Sequence, residues 1–412
     1  MPTILISTQA ITENKNGKDG FNQSQAQIVR SMLNKNHDIR ILMLQYKNDD
    51  INRSSEDDIK VDGDKILAAR YLKISEVDPD PKKTDGENIV FKNEVLKEYK
   101  EGEEINFNDD LGIDIVLSRS WGQALKAREF NGLMQNTYGL KFVNNLEAVE
   151  KSNSRCKTDR CFEKSNIARP LTYNFDNKTK DTDKEGYIKK IKKELTDGGG
   201  KVAFYIKEDY GIYGNAVTRV TLIDELEENL NRLNKDNTSF IIQKELGDCV
   251  PLRCSIANGR ITGIFKGKPN QFMPNPILNK NVDYGPENLE EFKAKHKNFK
   301  EFEKAIIAAA NSLYDEGEKD KNFLGAVNCL VKVDENGNII SDELKPITLE
   351  VNDSSATSTF GKLLVNIVSQ EYSDHVAQEA INNSIGNKPL KAMSPTSYKE
   401  VGPVVVSGPA QK

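Results

Sequence analysis

Histidine is scarce in this chain of 412 residues: His37, His296 and His375 are its three copies, far apart in sequence. A zinc centre draws on clustered histidines and cysteines, so zinc chemistry is not expected. The five cysteines, Cys156, Cys161, Cys249, Cys254 and Cys329, are odd in number and form no C-x-x-C pair. That spacing argues against a disulfide framework and for reduced thiols in a cytoplasmic setting. No apolar run approaches the ~20 residues that cross a bilayer. The first residues, MPTILISTQA, lack the basic start and long apolar stretch of a signal peptide, so no membrane partner is expected. A basic excess is missing as well. Lys and Arg number 58 against 63 Asp and Glu, a net charge of -5, which argues against a general nucleic-acid-binding surface. Neither G-x-x-x-x-G-K-[ST] nor a G-x-G-x-x-G after the first strand occurs, so the two common phosphate-loop signatures are absent.

What remains is an ordinary globular composition, 37% hydrophobic and 29% charged, on a chain long enough for two or three domains. The stretch TILIS reads as a first core strand. A polar loop, a helix pattern in SQAQIVRSMLNKN and a strand in DIRILMLQY follow, a β-loop-α-β start that suggests a parallel sheet. Residues 47–110, rich in charge and Asn, read as a decorated insertion with some helix. DIVLSR and LKFVNN return to strand, so residues 1–146 are expected to form one small α/β domain. A helix pattern then runs up to Pro170. Strand patterns fall at 202–207, 216–222, 239–243, 252–257 and 260–266. EEFKAKHKNFKEFEKAIIAAANSLYDE reads as one long helix, and AVNCLVKVDENGNIISDELKPITLEVN as a hairpin pair of strands. FGKLLVNIVSQEYSDHVAQEAINN is a closing helix. Residues 387–412 interleave Pro, Gly and Ser and read as a tail.

Three stretches carry chemistry. VAFYIKEDYGIYGNAVTRV is an apolar strand ending on Lys207, followed by a polar loop holding Gly211 and Gly214. Read by itself the loop is a hairpin turn. Its length and polarity also suit a phosphate lid, with Lys207 as a point charge and loop amides closing over the remaining phosphates. In TLEVN, Glu350 and Asn352 are two apart on a strand and leave from one face. The pair is either the polar side of an amphipathic strand or a ligand set for magnesium carrying nucleotide phosphates. In SFIIQKELGDCVPLRCSIANGRITGIFKGKP, Arg253 is embedded among apolar neighbours and calls for an anionic partner, while Lys266 and Lys268 end the next strand. The acidic turn VDENGN lacks the spacing of a calcium loop, and Asn336-Gly337 marks a hairpin turn.

Taken in order, these stretches resemble the ATP-grasp ligases, and most of all the branch holding the ribosomal-protein glutamate ligase and its peptide-ligating relatives. The resemblance covers about residues 112–385. Its anchors are Arg119, Asn144, Ala148, Lys157, Pro170 and Thr172, then the lid stretch YIKEDYGIYGNAV, the hinge IIQKEL, CVPLRCSIANGRITGIFK and the metal strand LEVNDSS. It implies a fold class of α/β type: an N-terminal Rossmann-like (pre-ATP-grasp) domain over 1–146, then a two-lobed ATP-grasp α+β domain. The lid lobe would span 147–240, the second lobe with the metal strand 241–386, and the tail 387–412. The implied activity is ATP-dependent joining of a carboxylate to an amine through an acyl phosphate, on a peptide or amino acid. A non-catalytic binding protein and a phosphotransferase are alternatives on the same scaffold.

The resemblance also assigns roles. Lys157 and Lys207 would hold the α- and β-phosphates, with Gly211 and Gly214 in the lid. Backbone groups of Lys244 and Leu246 would meet the adenine edge beside Gln243, and Asp248 would face the ribose because Pro251 stands where the family carries an acidic residue. Asn328, Glu350 and Asn352 would carry Mg2+, with Mn2+ as a substitute. Asn328 stands where the family has Asp. Arg253, helped by Lys266 or Lys268, would stabilise the transferred phosphoryl group. Arg119, Ser354 and Ser355 would contact substrate. Expected partners are ATP and small-molecule or peptide carboxylates and amines, with self-association left open.

Overall fold

The computed structural model describes residues 2–7, 20–21, 31–32, 40–45, 60–62, 65–67, 70–77, 89–98, 112–118, 132–177, 183–210, 217–267, 285–316, 318, 323–353 and 361–386. The expected helix at 24–36, apart from Ser31 and Met32, and the tail at 387–412 lie outside these residues.

The architecture is mixed α/β, built on several sheets. The N-terminal sheet places β1 (Thr3–Ser7) between β3 (Arg40–Gln45) and β8 (Ile115–Ser118), both parallel to it. Ile4, Leu5, Ile6, Leu42 and Val116 are buried there, as near-continuous apolar runs require. The insertion differs from expectation. It holds β4 (Lys60–Asp62), β5 (Lys65–Leu67), β6 (Arg70–Val77) and β7 (Ile89–Glu98), all antiparallel to their partners, and β2 (Gly20–Phe21) pairs with β7. Leu72 and Ile74 alternate with Lys73 and Ser75, a period of two that the density of charge obscures. LKFVNN does not form the expected strand; Phe142 makes one parallel bridge to Val116.

Two short helices follow, α1 (Leu146–Asn153) and α2 (Arg155–Lys164), each with a side-chain cap. Asn145 accepts from the Ala148 N–H, and Ser154 accepts from the Lys157 N–H. A four-stranded sheet comes next, in the order β11 (Val217–Val220), β10 (Phe204–Glu208), β12 (Phe240–Lys244), β9 (Thr172–Phe175). Every pairing in it is antiparallel. Phe204, Ile206, Phe240, Ile242, Tyr173 and Phe175 bury one face against α3 (Lys184–Asp197) and α4 (Ile223–Lys235). The helices answer with Ile191 and Leu195, and with Leu226, Leu230 and Leu233, at helical spacing. The opposite face carries Tyr205, Lys207, Ile241, Gln243 and Thr172.

The five-stranded sheet runs β15 (Gly285–Glu287), β14 (Arg260–Lys266), β13 (Cys249–Ala257), β16 (Gly325–Lys332), β17 (Ile347–Asn352), again antiparallel throughout. Leu252, Cys254, Ile256, Ile264, Val327, Cys329 and Val351 form its apolar face, packed on α5 (Leu289–Lys295) and α6 (Phe299–Asn311). The long helix pattern at 290–316 is thus two helices. Their break at His296 is held from outside: Ser341 Oγ donates to the Lys295 carbonyl, and Asn298 Nδ2 donates to the Asp342 carbonyl. VDENGN is a turn, with Asp334 accepting from the backbone of Asn336 and Asn338 and Gly337 at φ 77°. The closing helix α7 (Gly361–Gly386) contacts β13, β14 and β15, and also β1 and β8 of the N-terminal sheet. No described helix is long and apolar enough to cross a membrane.

Phe302 is fully buried at the centre of the larger core. Phe302→Ala is expected to lower the unfolding free energy by about 3–5 kcal/mol, and the exposed Lys300→Ala by less than about 0.5 kcal/mol. Chemical denaturation of both variants checks the contrast.

Candidate functional site

The site lies beside α2, which packs on β9 and β12 of one sheet and on β17 of the other and sends Phe162 into the larger apolar core. In the five-stranded sheet, pairing sets one row of side chains across three strands. Arg253 lies opposite Asn328, and Asn328 opposite Glu350. Directly paired residues share a face, and this is the face away from Leu252, Cys254 and Val327. Arg253 Nη1 donates to Asn328 Oδ1 at 3.4 Å, and Asn328 Nδ2 donates to Glu350 Oε1. Asn352, two along from Glu350, directs its Nδ2 at the same carboxylate oxygen at 3.5 Å. Along the same face Ser255 donates to the Tyr372 hydroxyl of α7, which donates to the Gly325 carbonyl.

From the four-stranded sheet comes Lys207, 7% exposed, whose Nζ donates to Gln243 Oε1 at 2.6 Å. Gln243 is oriented in turn by Thr172, whose Oγ1 accepts from Nε2 at 3.2 Å. The third cation is Arg155, the first residue of α2. Its guanidinium donates to the Glu208 carbonyl and its N–H to the Asp209 carbonyl. Asp209, buried, accepts from Ser154 Oγ and the Cys156 N–H, so the end of β10 caps the helix that carries Arg155.

These groups share one electrostatic field. Burial pushes the Lys207 ammonium down, to about 8; Glu350 opposes that shift and Arg155 adds to it. Burial pushes the Glu350 carboxyl up, but Arg155, Lys207 and Arg253, with the Asn328 hydrogen bond, outweigh it and hold the group below the usual carboxylate range. Three cations thus converge on one carboxylate, an arrangement suited to a polyanion such as a nucleotide phosphate chain.

No family model matches the sequence, and no curated protein matches it. Among solved structures the chain is similar to D-alanyl-alanine synthetase A from Vibrio cholerae, at 12% identity and TM-score 0.50, covering 93% of this chain and 98% of that one. It is similar to the D-alanine-D-alanine ligase of Coxiella burnetii at 10% identity and TM-score 0.50, covering 93% and 97%. It is also similar to D-cycloserine synthetase DcsG at 11% identity and TM-score 0.51, covering 92% and 99%. The chain has the ATP-grasp fold.

Within the ATP-grasp frame the structure brings together Lys207, Gln243, Arg253, Asn328, Glu350 and Asn352. Other expected residues stand elsewhere. Lys157 pairs with Glu150, about 200° round α2 from Arg155; Arg155 reaches the cluster in its stead. Lys266 is paired with Leu252, on the core face of the sheet and hence opposite to Arg253. The Lys244 side chain turns to Glu194 at 2.6 Å, and its N–H is given to the Leu171 carbonyl, which removes it as a donor to a base edge. Leu246 is half-buried at the hinge. Asp248 is exposed at φ 53°, where its carbonyl accepts from the Val333 N–H. Arg119, Gly211, Gly214, Lys268, Ser354 and Ser355 lie outside the described residues.

Magnesium fits this donor set in one way. Among the described residues no three His, Cys, Asp or Glu side chains group as a metal site. Glu350 is a single carboxylate, and the amide nitrogens of Asn328 and Asn352 face it. One carboxylate serves magnesium when phosphate oxygens complete the shell, so Glu350, with Asn352 turned to present its oxygen, fits a phosphate-borne ion.

Two outcomes follow for phosphate binding. Arg155→Ala is expected to weaken ATP binding about tenfold or more, and Lys157→Ala by less than about twofold; calorimetric titration separates them. Phosphate favours the charged form of Lys207, which deprotonates near 8 in the free protein. Affinity is therefore expected to be flat below that pH and to fall above it, by up to about tenfold per pH unit. Lys207→Met is expected to abolish this fall.

Proposed function

We propose that the chain is an ATP-dependent carboxylate–amine ligase that forms an amide through an acyl phosphate, on a peptide or amino-acid substrate. The observation that supports this most directly is the convergence of Arg155, Lys207 and Arg253 on Glu350 between the two sheets of an ATP-grasp fold. A carboxylate is a poor electrophile at neutral pH. Attack of its oxygen on the γ-phosphorus of ATP gives the acyl phosphate and releases ADP. An amine then attacks the carbonyl carbon, phosphate leaves, and the amine's proton passes to solvent. Such chemistry asks for positioning and positive charge rather than a protein nucleophile.

In this reading Arg155 and Lys207 bind the phosphate chain from the lid side. Gln243, locked between Lys207 and Thr172, fixes the lysine's direction. Arg253 faces the phosphoryl group in transfer, and Glu350 and Asn352 would hold magnesium, which lowers the charge of the phosphates when bound. Leu246 and Gln243 would border the base, with Asp248 near the ribose. Gly211 and Gly214 would lie in the lid, with Lys268 beside the phosphates. Arg119, Ser354 and Ser355 would contact substrate, and the N-terminal sheet would act as a Rossmann-like lead domain. The motif order of residues 112–385 favours the glutamate-ligating and peptide-ligating branch. A second reading, a nucleotide-binding protein without turnover, is favoured by Asn328, which brings an amide rather than a charge to the metal strand and gives its oxygen to Arg253.

The test is ATP turnover with pools of amino acids and peptides, with products weighed by mass spectrometry. A ligase releases ADP and phosphate and yields a condensed amide. A phosphotransferase yields a phosphorylated product, and a binding protein yields neither. Lys207→Ala is expected to abolish turnover and to weaken ATP binding at least about tenfold, while Lys201→Ala leaves both unchanged. Equal behaviour of the two variants would remove Lys207 from the site.

A further inference from the structure

The described residues at the site carry three cations against one carboxylate, and that carboxylate is already engaged on every side. Glu350 accepts from Asn328, has the Asn352 amide nitrogen beside it, and stands in the combined field of Arg155, Lys207 and Arg253. Asn328 ties it to the Arg253 guanidinium across three adjacent strands. Two further carboxylates on the lid side are committed elsewhere: Asp209 to the cap of α2 through Ser154 and Cys156, and Glu208 to Arg232. A free divalent cation would therefore enter a site with a cation excess, whereas a triphosphate would enter one with an anion already at its centre.

We propose that Glu350 is a stand-in for phosphate: it neutralises Arg155, Lys207 and Arg253 in the nucleotide-free protein, and a divalent cation joins only after phosphates have taken over those three partners. The proposal rests on the phosphate-binding reading above and adds an order of binding and a second role for Glu350. When phosphates engage the three cations, Glu350 loses its competing partners and gains a neighbouring anion. Both changes favour a divalent ion between carboxylate and phosphate. By linkage, metal and nucleotide then strengthen each other's binding by the same factor.

Under metal-free conditions a ligand role alone predicts no change for one substitution, and a stand-in role predicts tighter binding. With EDTA present and inorganic triphosphate as the probe, Glu350→Gln is expected to bind about tenfold or more tighter than the parent protein, because the competing charge is gone. With magnesium in excess the same variant gains nothing. Asn328→Asp is expected to do the reverse: metal-free triphosphate binding falls about tenfold, and Mn2+ binding becomes measurable by calorimetry with no nucleotide present. The parent protein is expected to show no Mn2+ binding without phosphate. Metal-free triphosphate affinity that is unchanged or lowered in Glu350→Gln would overturn the proposal, as would Mn2+ binding to the parent protein alone. If Glu350→Gln fails to fold by thermal melting, Asn328→Asp decides, and unchanged triphosphate affinity there overturns it. ATP in place of triphosphate tells the two readings apart. Expected signs with triphosphate but no tighter binding of ATP would retain the stand-in and sink the nucleotide reading. Tight ATP binding with no reversal of sign would do the opposite.

Discussion

A lysine ammonium buried at the end of a strand keeps its charge only if an anion lies within reach, and in this fold the anion comes from another sheet. Lys207 belongs to the four-stranded sheet and Glu350 to the five-stranded one, and each shifts the protonation of the other. The rest of the site is organised around that pair. Gln243 and Thr172 hold the lysine from its own sheet, and Asn328 and Arg253 hold the glutamate from its own. Helix α2 spans the gap and places Arg155 beside both. The two apolar cores lie on the outer faces of the sheets, under their helices, which leaves the inner faces free to be polar.

The strand-borne part of the candidate site is legible in the sequence because strands have a parity. Arg253 stands out as the odd residue in an apolar run, and Glu350 and Asn352 share a face by counting two. The same parity moves Lys266 to the far side, which becomes visible only when the pairing of Leu252 with Lys266 is known. Arg155 does not stand out in the sequence, for a different reason. A residue's direction on a helix depends on where the helix starts, and α2 starts at Arg155 because Ser154 and Asp209 cap it. Ser154 is a visible cap in the sequence, but its pairing with the distant Asp209 is not, so nothing there marks Arg155 over Lys157.

The fold itself was readable where apolar runs were continuous, as in β1, β3 and β13, and less so where charge or distant contacts intervened. In the insertion's strands charged residues stand among the apolar ones and mask their period. The break at His296 is held by hydrogen bonds from Ser341 to the Lys295 carbonyl and from Asn298 to the Asp342 carbonyl, which form only after the chain has folded. Local pattern names the element, and long-range hydrogen bonds decide where it stops.

Asn144 gives both halves of its amide to one residue: Nδ2 donates to the Leu324 carbonyl at 2.7 Å, and Oδ1 accepts from the Leu324 N–H at 2.9 Å. A side chain from the N-terminal half thereby imitates a neighbouring strand at the entry to β16, one residue before the glycine against which Tyr372 closes. The backbone amide of Leu324 is thus a natural reporter of docking. Its hydrogen–deuterium exchange measures how firmly residues 132–145 are seated on the strand that carries Asn328, without any label being added to the protein.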